Sequence, residues 1–384
     1  MKPILLLEAL CLLAFTLHGN AASTSPPPSL RLSSPLEYQV VQRTPRNDGT
    51  FRIVGSLPEP SATATTIQVR LSGTPSPAQW NDITTVPAGQ TNFQGALSAL
   101  AGDWYRLEVR AFRANADPST AAETSVEHVG VGEVFVIAGQ SNSANHGEEK
   151  LKVTSGRVVT FTGTEWVPSH DPQPGASGGG GSFIPPFGDG IAESFGVPVG
   201  IIAVGVGATS VREWLPRGTR FPNPPTLTGN VTQLSPTEWE SKGTLFERFT
   251  QRLAALGPQG FRAVLWHQGE SDANQKDTSR TLPGDLYRQH MELLIRESSQ
   301  KIGWNPPWFV ALVSYHTPDD PGSPDIRAAQ KSLWTSGAAL EGPDSDALTG
   351  DLRDGDGKGV HFSGKGLREH GARWAEKVGA WLNR

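Results

Sequence analysis

Cysteine is all but missing: Cys11 is the only one in 384 residues. It sits inside an N-terminal apolar stretch. The chain beyond it therefore has no disulfide, no cysteine nucleophile and no thiolate metal site. An excess of positive charge is also missing. The 33 basic and 38 acidic residues give a formal net charge of −5, which does not provide the basic stripe of a nucleic-acid binder. Charged residues make up only 18%, whereas glycine (43) and proline (31) are plentiful, so long, well-made loops are expected. The apolar run at residues 3–17, broken by Glu8, is too short to span a bilayer comfortably. With Lys2 before it and the mostly small residues 19–23 behind it, the run reads as a secretory signal over residues 1–22, cleaved after Ala21 or Ala22. The expected location is therefore secreted or periplasmic, with no membrane span. No coiled-coil heptads are evident, and the oligomeric state is left open.

What is there falls into two textures. Residues 23–35 are Ser/Pro-rich and read as a linker. Over 36–131, short alternating segments such as 37–42, 50–54, 66–71 and 104–111 stand between turn signals, the pattern of a small β-sandwich of immunoglobulin-like type. From 132 to 384 the pattern becomes apolar strands (134–138, 199–204, 263–267, 308–313) alternating with amphipathic helices (188–195, 245–256, 286–300, 326–335, 364–382). That alternation predicts a parallel sheet with helices on both faces. Two long loops, 169–186 and 215–241, are expected to wall a cleft, since unstructured loops of that length are uncommon away from a site.

The most informative segment ends the first of these strands: Gly139-Gln140-Ser141-Asn142. Ligands bind at the carboxyl ends of strands in an open α/β sheet, and a serine there can aim its hydroxyl into the crevice. Ser and Asn are also good helix caps, so Ser141 alone decides nothing. Acyl transfer also needs an imidazole, a carboxylate to hold it and donors for the oxyanion. Three later segments can supply them: Gly205-Val206-Gly207-Ala208, His267-Gln268-Gly269-Glu270, and the run from Asp354 through Asp356 and Lys358 to His361.

In order and spacing these blocks resemble the SGNH-hydrolase superfamily, more narrowly its sialate O-acetylesterase and acetylxylan esterase group (carbohydrate esterase family 6-like). The segment Ile326-Arg327-Ala328-Ala329-Gln330 with Trp334 resembles a helix of that group. The resemblance covers roughly residues 130–384. It implies a flavodoxin-like three-layer α/β fold with a parallel sheet, and an enzyme that removes acetyl esters from carbohydrate without a cofactor or metal. It implies Ser141 as nucleophile and His361 as general base. Oxyanion donors would be the Ser141 N–H, the Gly207 N–H (the missing side chain letting substrate approach) and the Gln268 side chain. The expected acid position, three residues before the histidine, holds Lys358. Asp356 and Asp354, five and seven residues before it, and Glu270 are the alternatives, with Asp356 favoured over Glu270. Gln140, Arg212 and Trp214 are the candidate substrate contacts.

Other readings are weaker. Asp354-Gly355-Asp356-Gly357 lacks the glutamate of a calcium loop at Lys365. No His/Cys cluster has metal spacing, and the glycines at 205 and 207 lack a phosphate-loop ending. His146, His170, His290, His316 and His370 read as surface or loop residues, although His316 follows a strand and can line the cleft. The high tryptophan count of 11 suits sugar stacking and core packing equally. Two alternatives remain: a catalytically silent glycan-binding protein, motivated by Lys358, and an esterase or transacylase for a different acyl group.

Overall fold

The computed structural model describes residues 29–384, except 46, 76–77 and 114–115. The segment 1–22 read as a secretory signal, with Cys11 in it, and residues 23–28 of the stretch read as linker lie outside the described residues. Arg31–Ser34, read as linker, forms an edge strand, β1, and Leu30 beside it is buried in the first core.

Strands β2 (Gln39–Gln42), β3 (Asp48–Ser56), β4 (Thr65–Ser72), β5 (Asn81–Val86), β6 (Asn92–Leu100) and β7 (Tyr105–Arg113) follow. Burial along β3 and β4 alternates residue by residue, as the period of two requires. Phe51, Ile53, Ile67, Val69, Leu107 and Val109 all point into one core. β1, β3 and β6 form one sheet, and β5, β4, β7 and β2 join the other through the next strand.

That strand, β8 (Ala122–Gly139), is 18 residues long. The sequence suggested only its second half. Its first half pairs antiparallel with β7 and, from Val129, parallel with β2; its second half enters a parallel sheet. The 131/132 boundary therefore falls inside one continuous strand. Gly132 is required there: a Cβ would lie 1.9 Å from the Pro198 carbonyl oxygen. Next to it Glu133, fully buried, is held by Arg43 at 2.6 Å and Arg262 at 2.7 Å. Opposite charges close around it from both parts of the chain, which a buried carboxylate needs.

The remaining elements are β9 (Val158–Phe161), β10 (Trp166–Pro168), α1 (Ile184–Phe195), β11 (Val199–Ala203), β12 (Arg220–Phe221), β13 (Val231–Ser235), β14 (Glu238–Ser241), α2 (Thr244–Ala255), β15 (Ala263–His267), α3 (Gly284–Ile302), β16 (Trp308–Leu312), α4 (Pro324–Thr335), β17 (Leu340–Asp344) and a C-terminal helix, Gly364–Leu382. The sheet order is β10-β9-β11-β8-β15-β16-β17, parallel except for β10. Residues of β8 alternate between two cores. Val134, Val136 and Ala138 pack with Phe249, Met291, Leu294 and Leu333 of α2, α3 and α4. Phe135 and Ile137 pack with Phe187, Ile191, Trp374 and Val378 of α1 and the C-terminal helix. A strand apolar on both faces is what a sheet covered on both sides demands. Each such side chain contributes about 1.5–3 kcal/mol by leaving water. Among the described residues no helix is long and apolar enough to cross a membrane.

Candidate active site

After β8 the chain crosses to β9 and β11 on one side of it, then to β15 and β16 on the other. The carboxyl end of β8 is thus the topological switch point, where a ligand crevice opens. Gly139 makes the turn: its φ is +128°, and a Cβ would lie 2.0 Å from the His267 carbonyl oxygen. Only glycine tolerates both. Ser141 then starts a short 3-10 turn, Ser141–Ser143, and the first N–H of such a turn has no acceptor within it.

A cleft of about 530 Å³ opens over this turn, lined by Ser141, Gly207, Glu270, His361, His146, Ser177 and His316 among others. His361 is placed by the glycine-rich loop before it. Gly355 (φ 57°), Asp356 (φ 56°) and Gly357 (φ 82°) all take left-handed backbone, which folds the loop back on itself. Asp354, not Asp356, meets the histidine as a result. Asp354 Oδ1 accepts from the His361 N–H at 3.1 Å, and Oδ2 lies 3.6 Å from His361 Nδ1. Asp356 is exposed on the outside of the bend. Gly359 is small for a reason: a Cβ would lie 1.7 Å from Asp354 Oδ1. Burial pushes the His361 ring below the usual histidine range, and the Asp354 carboxylate opposes that shift.

Glu270 also lines the cleft, but no ion pair joins it to His361. Its Oε1 accepts from Asn142 Nδ2 at 2.9 Å, and its buried Oε2 has no hydrogen-bond partner among the described residues. Burial pushes this carboxyl up to about 7, as an acid removed from water requires.

Behind Ser141 stands a buried polar network. Gln140 Oε1 accepts from the Ser271 N–H at 3.0 Å and from Gln268 Nε2 at 3.3 Å. Gln268 Nε2 also donates to Asp272 Oδ2 at 2.7 Å and to the Thr209 carbonyl at 3.2 Å. The Gln268 amide is therefore spent inside the protein and does not reach the cleft. Arg212 likewise does not reach it. Its guanidinium is fully buried against Asp272 at 3.1 Å and donates to the carbonyls of Asn223, Pro224 and Arg280. Trp214 is buried as well, donating to Thr209 Oγ1 at 2.9 Å and packing edge-on to Trp266. Arg212 and Trp214 thus hold the cleft's walls from behind rather than forming its surface. Gln140 lines the cleft, while its amide oxygen ties the third block to the first.

The sequence missed His146 and Ser177. His146 stacks on His361 with ring centroids 5.5 Å apart. Ser177 comes from the loop 169–186, whose composition pointed to a cleft wall without singling out a residue. His316 is held between Asp320 Oδ2 at 2.6 Å and the Glu270 carbonyl at 2.7 Å. Among the described residues, no group of three or more His, Cys, Asp or Glu could hold a metal ion.

A crevice at the switch point of a mostly parallel sheet, holding a serine turn and an imidazole beside a carboxylate, defines an α/β protein with an enzyme-like cleft. Residues 131–380 match the carbohydrate esterase, sialic acid-specific acetylesterase family, and the chain belongs to that family. Among solved structures it is similar to a carbohydrate acetylesterase from Xanthomonas citri, with 20% identity, a TM-score of 0.51, and coverage of 89% of this chain and 72% of that one. This likeness extends the shared fold beyond the family's segment. A carbohydrate esterase family 2 enzyme with a carbohydrate-binding domain from Corynascus thermopiles (Myceliophthora fergusii) gives 13% identity and a TM-score of 0.37, over 93% of this chain and 100% of that one. No curated protein matches the chain.

Proposed function

We propose that the protein is an exported carbohydrate O-acetylesterase using a serine nucleophile. One observation carries this reading: Ser141 and His361 line the same switch-point cleft, with Asp354 Oδ2 3.6 Å from Nδ1 of His361. Ser141 Oγ attacks the acetyl carbonyl while His361 Nε2 takes its proton. Asp354, 3.6 Å away, closes on the Nδ1–H as charge develops, fixing the tautomer and stabilising the imidazolium. The tetrahedral oxyanion is met by the Ser141 N–H. Collapse expels the sugar oxygen, which takes the proton back from His361, and leaves an acetyl-enzyme. Water, deprotonated by His361, attacks the acetyl-enzyme, and collapse breaks the bond to Ser141 Oγ, which takes that proton back from His361 as acetate leaves. Ser141 is the first residue of the 3-10 turn rather than its cap, a position held by Gln140 with no side-chain capping bond, so in this reading the turn is the mount for a nucleophile.

The catalytic region then has the flavodoxin-like, three-layer arrangement of SGNH hydrolases, and the N-terminal strands form an immunoglobulin-like accessory domain. Export follows from the N-terminal segment; sequencing the N-terminus of protein recovered outside the cytoplasm tests it, with a start at residue 22 or 23 expected. The activity is tested by acetate release from 4-nitrophenyl acetate and a panel of acetylated glycans, alongside Ser141→Ala. Release is expected to fall at least about 10⁴-fold in the variant, with the fold intact. Undiminished release by Ser141→Ala would remove the serine from the mechanism.

A further inference from the structure

We infer that the Ser177 hydroxyl is a direct donor to the oxyanion, standing one atom in front of the Gly207 N–H; this rests on the serine-esterase reading above. The Gly207 N–H donates to Ser177 Oγ at 2.7 Å, and His146 Nε2 lies 3.2 Å from the same oxygen. The Gly207 N–H is therefore covered by a hydroxyl, and the Gln268 amide is spent in the network behind Ser141. Of the three donors the family resemblance implies, the Ser141 N–H alone is left facing substrate.

A hydroxyl offers two lone pairs and one hydrogen. With the Gly207 N–H on one lone pair and the His146 Nε2–H on the other, the Ser177 hydrogen is left for a third direction. Ser177 lines the same cleft as Ser141 and His361, so that direction is open to a developing oxyanion. Burial, with His361 as neighbour, keeps the His146 ring below the usual histidine range and favours its neutral form. The single N–H of the neutral ring is taken to be on Nε2; were it on Nδ1, Nε2 would accept the Ser177 hydrogen instead. Two donors polarise the Ser177 oxygen and strengthen its own O–H as a donor.

The opposing reading makes Ser177 a removable plug over Gly207. The loop is built against that. The Ser177 N–H donates to the Gly205 carbonyl and its own carbonyl accepts from the Asn145 N–H, both at 2.9 Å. The buried Asn145 side chain in turn accepts from the Gln173 N–H at 2.6 Å and donates to the Gln173 carbonyl at 2.9 Å. Ser177 is thus pinned to the segments that follow Ser141 and precede Gly207. Gly207 also fits this account. A Cβ there would lie 2.7 Å from His146 Nε2 and 3.4 Å from Ser177 Oγ, so its missing side chain makes room for this pair.

The test compares kcat and KM of the full protein on 4-nitrophenyl acetate for wild type, Ser177→Ala, the near-isosteric pair Ser177→Thr and Ser177→Val, and Ser141→Ala. A direct donor predicts that Ser177→Ala loses about 10²–10³-fold in kcat, with KM changed by much less. Ser177→Thr should recover most of the rate, while Ser177→Val should not. A Ser177→Ala enzyme as fast as wild type, or faster, overturns the inference, because a plug has then been removed. If the alanine variant fails to fold, equal rates for the Thr and Val variants overturn it, and a fast Thr with a slow Val supports it. Loss of activity in Ser141→Ala with full activity in Ser177→Ala condemns this inference alone. Full activity in Ser141→Ala condemns the esterase reading and this inference with it.

Discussion

The two sides of the cleft are built on opposite plans. Behind Ser141, Arg212 and Asp272 are both 0% exposed and tie the strand ends together through Gln268 and Gln140. On the facing side, His361 and Asp354 are each 26% exposed, 3.6 Å apart, on a loop whose shape depends on glycines and left-handed backbone. One side holds its geometry by burial and a dense set of hydrogen bonds around an ion pair. The other holds the titrating group, which must change charge during a turnover and benefits from contact with water. A mutation behind the serine should therefore appear as lost stability, and one beside the histidine as lost rate.

The contrast is tested most severely by Arg212→Leu. Removing the cation leaves Asp272 buried and unpaired, which should cost about 3–5 kcal/mol of unfolding free energy. Denaturant titration reads that loss, while kcat of the folded fraction should stay near wild type. A stable but inactive variant would mean that the network acts in the chemistry after all.

Asp354→Asn should do the reverse. The expected loss is about 10²–10³-fold in kcat, less than for a tightly bonded buried triad acid, with little change in melting temperature. Its pH profile sharpens the point. The base must be neutral to act, and burial holds His361 below 6.5, so the acid limb of kcat/KM in wild type should lie below that value. Asp354 raises the histidine's pKa, so removing it should move the limb to still lower pH.

Glu270→Gln probes a group lying between the two sides. The Glu270 carboxyl is raised from 4.5 to about 7 in the folded state. Its contribution to stability is fully present below about pH 4.5 and is lost as pH rises through about 7, by about 3 kcal/mol. The glutamine variant should lack that part of the decline when unfolding is followed from pH 5 to pH 8. Asp356→Ala should have the smallest effect: the residue is exposed beyond the bend, so rate should stay within about twofold and stability within about 0.5 kcal/mol. A large rate loss there would transfer the carboxylate role from Asp354.

The sequence was most legible where periodicity was long or the chemistry was compact. The C-terminal helix, Gly364–Leu382, and β15, Ala263–His267, have the bounds their patterns indicated. Apart from β8, whose first half was not anticipated, the other bounds shifted by a few residues. β17 was missed because its segment, Leu340–Asp344, contains Gly342 and Pro343 and reads as a turn. The loop 215–241 contains a small sheet of β12, β13 and β14 that Pro, Thr and Asn concealed. At the site, the four blocks located Ser141, Gly207, Glu270 and His361 on one cleft. Sequence spacing could not choose between Asp354 and Asp356, because the choice depends on consecutive left-handed residues. Nor could it show that Gln268, Arg212 and Trp214 face inward, since polarity and nearness to a motif do not encode direction. Ser177 and His146 carried no signal because the loop that joins them closes only in three dimensions.

Strand β8 also sets a length. At about 3.3 Å per residue, its 18 residues form a rod on the order of 55–60 Å, stitched to β2 and β7 at one end and to β11 and β15 at the other. With Glu133 clamped in its second half, one unbroken strand leads from β2 and β7 to the serine turn. A polymer touching both ends would therefore have to span a distance set by the pitch of a single strand.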